Sequence, residues 1–192
     1  MTNELNIPWQ RYAIIAELAK RLDQKSPQFG KTALQKMIYL LQEIFKIDCG
    51  YTFELYSYGP FTSQVLHDLD FVEHLGGVEI SVVNSGKGGF HIKPGEKIEF
   101  LLDKGKDFLS NHLVGDAFLK LVNQFGSYSA SELELRSTII YIDREIRDQE
   151  SNPPDYERIF MLVKEVKPKF SDEEIQKAID ELRSKNYIIL KI

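Results

Sequence analysis

Four histidines, a single cysteine and a glycine-rich loop are the residues of this chain whose types and spacing could do chemistry. His67 and His74 stand two helical turns apart, with Asp68 and Asp70 between them. Zinc needs three or four converging ligands, and Cys49 lies far upstream, so surface or half-buried histidines are expected rather than a metal centre. His91 could meet a phosphate when protonated, although an ordinary strand histidine is the simpler reading. His112 stands apart from the others. Cys49 would be reactive only if Lys46 lowered its pKa, and a buried thiol is expected instead. The loop NSGKGG (84–89) has the composition of a phosphate loop but not its G-x-x-x-x-G-K-[ST] order. Ser129, Ser131 and Ser137 lack a nucleophile-elbow context. Glu132 and Glu134 do not share a helical face, and Glu173-Glu174 sits in a first helical turn, where it favours the helix dipole. No catalytic residue, cofactor or metal is expected.

Composition sets outer limits. The chain has 192 residues, 43% of them apolar, enough for a hydrophobic core in one domain or two small ones. Formal net charge is -5, and neither half is basic: residues 1–110 hold 12 Lys/Arg against 14 Asp/Glu, and residues 111–192 hold 12 against 15. Global phosphate neutralisation, the main source of nonspecific nucleic-acid affinity, therefore has no compositional support. No apolar run is long enough to span a membrane. The start MTNELNIPWQ lacks the pattern of a secretory leader, and one cysteine cannot form an internal disulfide, so a cytoplasmic location is expected.

The elements that position these residues follow from periodicity and punctuation. A first helix begins near Pro8, with Tyr12, Ile15, Ala16, Ala19 and Leu22 at helical spacing. A second opens at Thr32, with Gln35 three positions on as in a capping box, and Leu34, Met37, Ile38, Leu41 and Phe45 form its apolar face. Tyr39, Leu40 and Ile44 widen that face and make the helix central, leaving Lys31, Lys36, Gln42 and Glu43 for the other side. YTFELYSY (51–58) reads as a short strand, and Gly59-Pro60 as the turn after it. Thr62 then caps a third helix, with Phe61 and Leu66 as a hydrophobic staple and Val65, Leu69 and Val72 facing inward. Residues 78–92 read as two strands around the glycine loop, a wing with Lys87 at its tip. A helix over 96–109 closes this half. Beyond 111, helices are expected near 115–125, 129–147, 156–166 and 171–185, the last capped by Ser171 with Glu174. The fold expectation is mainly α with a small β hairpin: a winged-helix-like module over 1–110 and a helical region over 111–192. The latter is a second helix-turn-helix-like unit or part of one continuous domain.

Two binding faces suggest themselves. Tyr51, Phe53, Tyr56, Tyr58 and Phe61 fall within eleven residues, and tyrosines suit protein interfaces because they bury area yet keep a polar tip. With the acidic third helix (Asp68, Asp70, Glu73), Tyr56, Tyr58 and Phe61 are the candidate protein-binding residues. A DNA-reading helix would present basic and amide side chains, yet residues 61–80 contain no lysine or arginine. Nucleic-acid contact would fall to Lys31, Lys36, Lys87 and Lys93.

KTALQKMIYLLQEIF followed by YTFELYSYGPFTSQVLHDLDFV resembles the YwgA-like uncharacterised prokaryotic proteins, and more distantly the Panacea or SocA-like antitoxin domain. The shared pattern falls on Lys31, Leu34, Gln35, Lys36, Tyr39 and Tyr58-Gly59-Pro60. The YwgA-like likeness extends through SELELRSTIIYI (131–142) and VKPKFSDEEIQKAIDEL (166–182). It carries no established reaction or ligand. The Panacea likeness implies neutralisation of a protein toxin by direct contact.

The leading expectation is a non-enzymatic, protein-binding regulatory module, antitoxin-like or phage-associated. A DNA-binding regulator using the wing is the second reading, and an enzyme with an unrecognised site the third. A homodimer is a further expectation, because Leu133, Leu135, Ile139, Ile140 and Ile142 place apolar groups on more than one side of their helix. No membrane partner is expected.

Overall fold

In the computed structural model, residues 7–84, 88–150 and 152–191 are described. They form a mainly helical fold with two small antiparallel hairpins. The order is α1 (Trp9–Leu22), α2 (Lys31–Glu43), β1 (Glu54–Tyr56), β2 (Gly59–Phe61), α3 (Ser63–His74), β3 (Val78–Val82) and β4 (Phe90–Pro94). Then come α4 (Ile98–Lys104), α5 (Lys106–Leu109), α6 (His112–Phe125), α7 (Ala130–Glu150), α8 (Tyr156–Val166) and α9 (Asp172–Ser184). No described helix is long and apolar enough to cross a membrane.

One buried apolar cluster holds residues from Tyr12 in α1 to Leu190 beyond α9. At its centre α2 packs against α7. Every residue of α2 from Ala33 to Leu41 is buried, so this helix is enclosed on all sides rather than along one stripe. In α7 the unbroken buried run is Leu133–Ile140, followed by Ile142, Asp143 and Ile146. The apolar groups on more than one side of that helix are thus taken up within the fold, against α2, β2, α8 and α9. In α1 the spaced residues Tyr12, Ile15, Ala16, Ala19 and Leu22 are buried as their periodicity requires.

Several local expectations are corrected. Residues 51–58 are not one strand: β1 covers Glu54–Tyr56 and pairs with β2 in the register Glu54↔Phe61, Leu55↔Pro60 and Tyr56↔Gly59. The turn is therefore Ser57-Tyr58, and Gly59-Pro60 opens the returning strand of an additional hairpin. Proline is tolerated there because a two-stranded ribbon leaves an edge with no ladder donor required. Thr32 does not cap α2. The N-cap is Gly30, without a side-chain hydrogen bond, and Gln35 is directed elsewhere. Thr62 does occupy the N-cap of α3, yet its hydroxyl accepts no capping bond. The helix foreseen over 96–109 breaks at Gly105, where any Cβ would collide with that of Ala13 in α1. At α9 the capping box of Ser171 and Glu174 is present in both directions. The wing strands β3 and β4 pair from Val78↔Pro94 to Val82↔Phe90. Lys87, expected at the wing tip, lies outside the described residues.

Candidate functional site

The additional hairpin rests on buried charged and polar groups supplied by three helical segments. From α2, Gln35 pairs with the Thr62 backbone in both directions: Nε2 donates to the carbonyl at 2.7 Å, and Oε1 accepts from the amide at 3.2 Å. The next residue, Lys36, donates from Nζ to the Pro60 carbonyl at 2.6 Å. Lys167, just past the end of α8, donates to the carbonyls of Ser57 and Tyr56. The Glu134 carboxylate of α7 lies 3.0 Å from Lys167 Nζ and 2.8 Å from Lys169 Nζ. Lys36, Glu134 and Lys167 are all buried. The approach to Lys167 brings the charges together without hydrogen-bond geometry at Glu134 Oε1. Burial pulls the Lys36 ammonium down to about 8, with Glu134 opposing the shift and Lys167 reinforcing it.

Gly59 completes the seat. Its φ is +84°, the left-handed region that glycine occupies without steric cost. A Cβ would also stand 3.0 Å from Thr138 Oγ1 and 3.4 Å from the Glu134 carbonyl. The hairpin backbone thus lies directly on α7. The Ser57 carbonyl in the turn is met by the buried Lys167 ammonium, and the Pro60 carbonyl in β2 by that of Lys36.

The outer face of the hairpin is aromatic. Tyr56 and Tyr58 are 68% and 65% exposed, values that place both rings in solvent. The half-buried Phe61 ring lies 5.7 Å from that of Tyr56, and Lys169 Nζ stands 5.4 Å from the Tyr58 ring. Beside them is a cavity of about 230 Å³ walled by Tyr56, Tyr58, Phe61 and Leu66, with Thr32 and Gln35 from α2. Phe61 and Leu66, the expected staple pair, both line it.

The other expected site residues separate. Asp68 is buried, not displayed: it accepts from Arg11 Nη2 at 3.1 Å, the Tyr51 hydroxyl at 2.8 Å and Gln64 Nε2 at 3.0 Å. Glu73 accepts from the Ile80 amide at 3.1 Å and so serves the edge of β3. Asp70 is exposed, 4.0 Å from Lys31. The third helix therefore presents no continuous acidic face: one carboxylate is internal, and another is committed to a strand. Among the lysines, Lys36 cannot meet a nucleic acid because it is enclosed under the hairpin. Lys31 stands over the Phe90 ring at 4.5 Å, and Lys93 is exposed on β4 opposite Glu79. Leu34 and Tyr39 belong to the core, and burial, followed by Glu43, pushes the Tyr39 phenol up.

Cys49 is buried, and burial together with Asp48 pushes its thiol up, away from thiolate reactivity. His67, His74 and His112 are exposed, and His91 is half-buried. Among the described residues no group of three or more His, Cys, Asp or Glu could hold a metal ion.

Glu134 is weighed in the sequence only as a partner of Glu132, and Thr138, Lys167 and Lys169 are not singled out there. The available signals were a glutamate inside the apolar run of 131–142 and the Lys-Pro-Lys of 167–169. Folding brings those two segments to the Gln35-Lys36 pair and the Tyr-Gly-Pro step, so the scattered motif residues meet around one hairpin.

Comparison of the chain with protein-family models finds no match. Comparison with curated proteins likewise finds none.

Proposed function

We propose that this chain is a non-enzymatic protein-binding module whose docking face is the Tyr56–Phe61 hairpin. One observation carries the reading: two tyrosines are held in solvent on a hairpin whose backbone is fastened from beneath by Gln35, Lys36 and Lys167. Rigid aromatic side chains are effective interface anchors, because they bring contact area at little cost in conformational entropy. A pre-ordered hairpin lowers the ordering cost of binding further. Acting by contact alone, the module would play a regulatory, antitoxin-like role towards its partner. Groups with reactive potential support the non-enzymatic reading, since Lys36, Cys49 and Asp68 are each enclosed and engaged. The alternative of DNA binding is weakened by the enclosure of Lys36 and by the aromatic and acidic neighbours of Lys31.

Affinity capture from the native host, with wild type beside Tyr56→Ala/Tyr58→Ala, tests the proposal. Both positions are exposed, so each substitution should change stability by no more than about 0.5 kcal/mol. A stoichiometric partner retained by wild type and lost by the double variant is expected. Equal recovery by both proteins would refute docking through this face.

A further inference from the structure

A separate cavity of about 330 Å³ lies between the last turn of α2, the segment 51–53 ahead of β1, and α7 from Tyr141 onward. It shares no wall residue with the cavity beside the hairpin. Its floor is aromatic: the Tyr39 ring lies 5.2 Å from that of Phe53 and 6.2 Å from that of Tyr141. Tyr39 is only 2% exposed, yet its hydroxyl has no hydrogen-bond partner among the described residues. A buried phenol ordinarily has one. Gln42, almost one turn further along α2, spends Nε2 on the Tyr51 carbonyl at 3.0 Å. Its Oε1 is left as a buried acceptor, again without a partner among the described residues.

Charges of both signs stand at the wall, but they are not equally free. Arg144 gives its terminal nitrogens to Asp143 and to the carbonyls of Glu43 and Tyr187, and only its Nε is unused. Arg11, over the Tyr51 ring, is paired with Asp68. Glu43 lies 3.9 Å from the exposed Lys46 and 3.8 Å from Arg144, whereas neither Glu145 nor Asp148 is in an ion pair among the described residues. These two carboxylates are exposed and stand one turn apart on α7. Burial, then Glu145 and after it Glu54, push the Tyr141 phenol up, so the field over the aromatic floor is negative. The C-terminal end of α2 adds the negative pole of its dipole.

We infer that this cavity binds a small aliphatic amine in its protonated form, with an ammonium group held by Glu145 and Asp148 and the alkyl chain over Tyr39, Phe53 and Tyr141. The inference goes beyond the docking role of the hairpin and does not depend on it. Ammonium groups are attracted to aromatic faces as well as to carboxylates, and they supply the donors that Tyr39 and Gln42 Oε1 lack. The volume lies within the roughly 300–1,000 Å³ of small-molecule sites. An anionic ligand would meet the two unpaired carboxylates, while Arg144 has one nitrogen left to offer it. A metal ion is a poorer fit, because no group of three or more ligating side chains converges among the described residues.

The test titrates the full-length nitrogen-15-labelled chain with 1,5-diaminopentane, and with glutarate and 1,5-pentanediol as anionic and neutral probes of matched length. The diamine should shift the amides of Gln42, Phe53, Tyr141 and Glu145 saturably, more tightly than either control by about tenfold or more. Glu145→Gln/Asp148→Asn, two exposed positions, should weaken the diamine by about tenfold. Tyr39→Phe, which removes only the unpartnered hydroxyl, should weaken it by about threefold, with the fold of each variant checked by its spectrum. Equal binding of glutarate or the diol, no saturable shift, or indifference to the double substitution would overturn the inference. Equal shifts around Glu73, Glu79 and Glu96, which line another cavity, would show attraction to acidic surface alone and overturn it too. N-acetyl-lysine methylamide serves as a fourth probe: if it bound more tightly than the diamine, the cavity would belong to a partner's side chain rather than to a free amine.

Discussion

Replacing Glu134 by glutamine tests the clamp beneath the hairpin, because it removes one charge and almost no volume. The carboxylate is 3% exposed and faces Lys167, also 3% exposed, and Lys169, which is 50% exposed. Taking away one partner of a buried pair leaves an uncompensated charge, at a cost of about 3–5 kcal/mol. Domain stabilities are of order 5–15 kcal/mol, so this is a large fraction of the total. For a chain of this size it corresponds to a fall in Tm of about 6–20 °C. Lys169→Met breaks the other ion pair from its exposed end and should cost less than about 1 kcal/mol. The decisive comparison is the cycle of Glu134→Gln, Lys167→Met and the double variant, measured by urea unfolding with far-ultraviolet circular dichroism. Once the ammonium is gone, the carboxylate matters less, so a coupling energy of about 1–3 kcal/mol is expected. A Glu134→Gln variant within about 1 kcal/mol of wild type, or additive effects, would refute the argument.

Lys36→Met should flatten one part of the stability profile. With the folded value at about 8 and the ordinary value at 10.5, the unfolded chain binds more protons between these limits. Lys36 therefore makes stability rise with pH across that window, by about 3 kcal/mol in all. Cys49 and Tyr39, whose values are raised, act in the opposite sense above their ordinary 9.0 and 10.0, so the difference between wild type and variant is the quantity to measure. In Glu181, burial raises the carboxyl, but hydrogen bonds from Lys185, Arg136 and Tyr128 outweigh it and hold it at about 2. Its stabilisation is complete above about 4.5 and is lost as pH falls toward 2. After allowance for solvent screening this is about 2 kcal/mol, and Glu181→Gln should abolish the dependence in acid titrations of unfolding. Gly59→Ala should destabilise by at least about 2 kcal/mol, through its positive φ and the contact with Thr138. Gly115→Ala, in open space on α6, should stabilise by about 0.5–1 kcal/mol in the same thermal melts.

Helices were legible wherever periodicity and a local stop coincided: α1, α3 and α9 lie close to their expected limits, and the Ser171 cap is local by nature. The early hairpin was legible only in part. A three-residue strand carries almost no alternation, and Gly59-Pro60 reads as a turn on composition although the turn precedes it. The aromatic half of the candidate site could be read, because Tyr56, Tyr58 and Phe61 are neighbours in the chain. Its support could not: Lys36 and Lys167 are 131 positions apart in the numbering, and a lysine's type argues for solvent. Only the tertiary fold brings backbone carbonyls and Glu134 to these ammonium groups and makes their burial tolerable. The same reason hid Asp68, whose partners Arg11 and Tyr51 come from other segments.

The claim that the tyrosine hairpin docks a partner is tested most directly by a photoreactive phenylalanine analogue placed at Tyr58 in the native host, with Lys120 of α6 as an exposed control position. The account predicts one discrete adduct of reproducible mass from position 58 that is absent from position 120. No adduct at 58, or the same adducts at both positions, would contradict it.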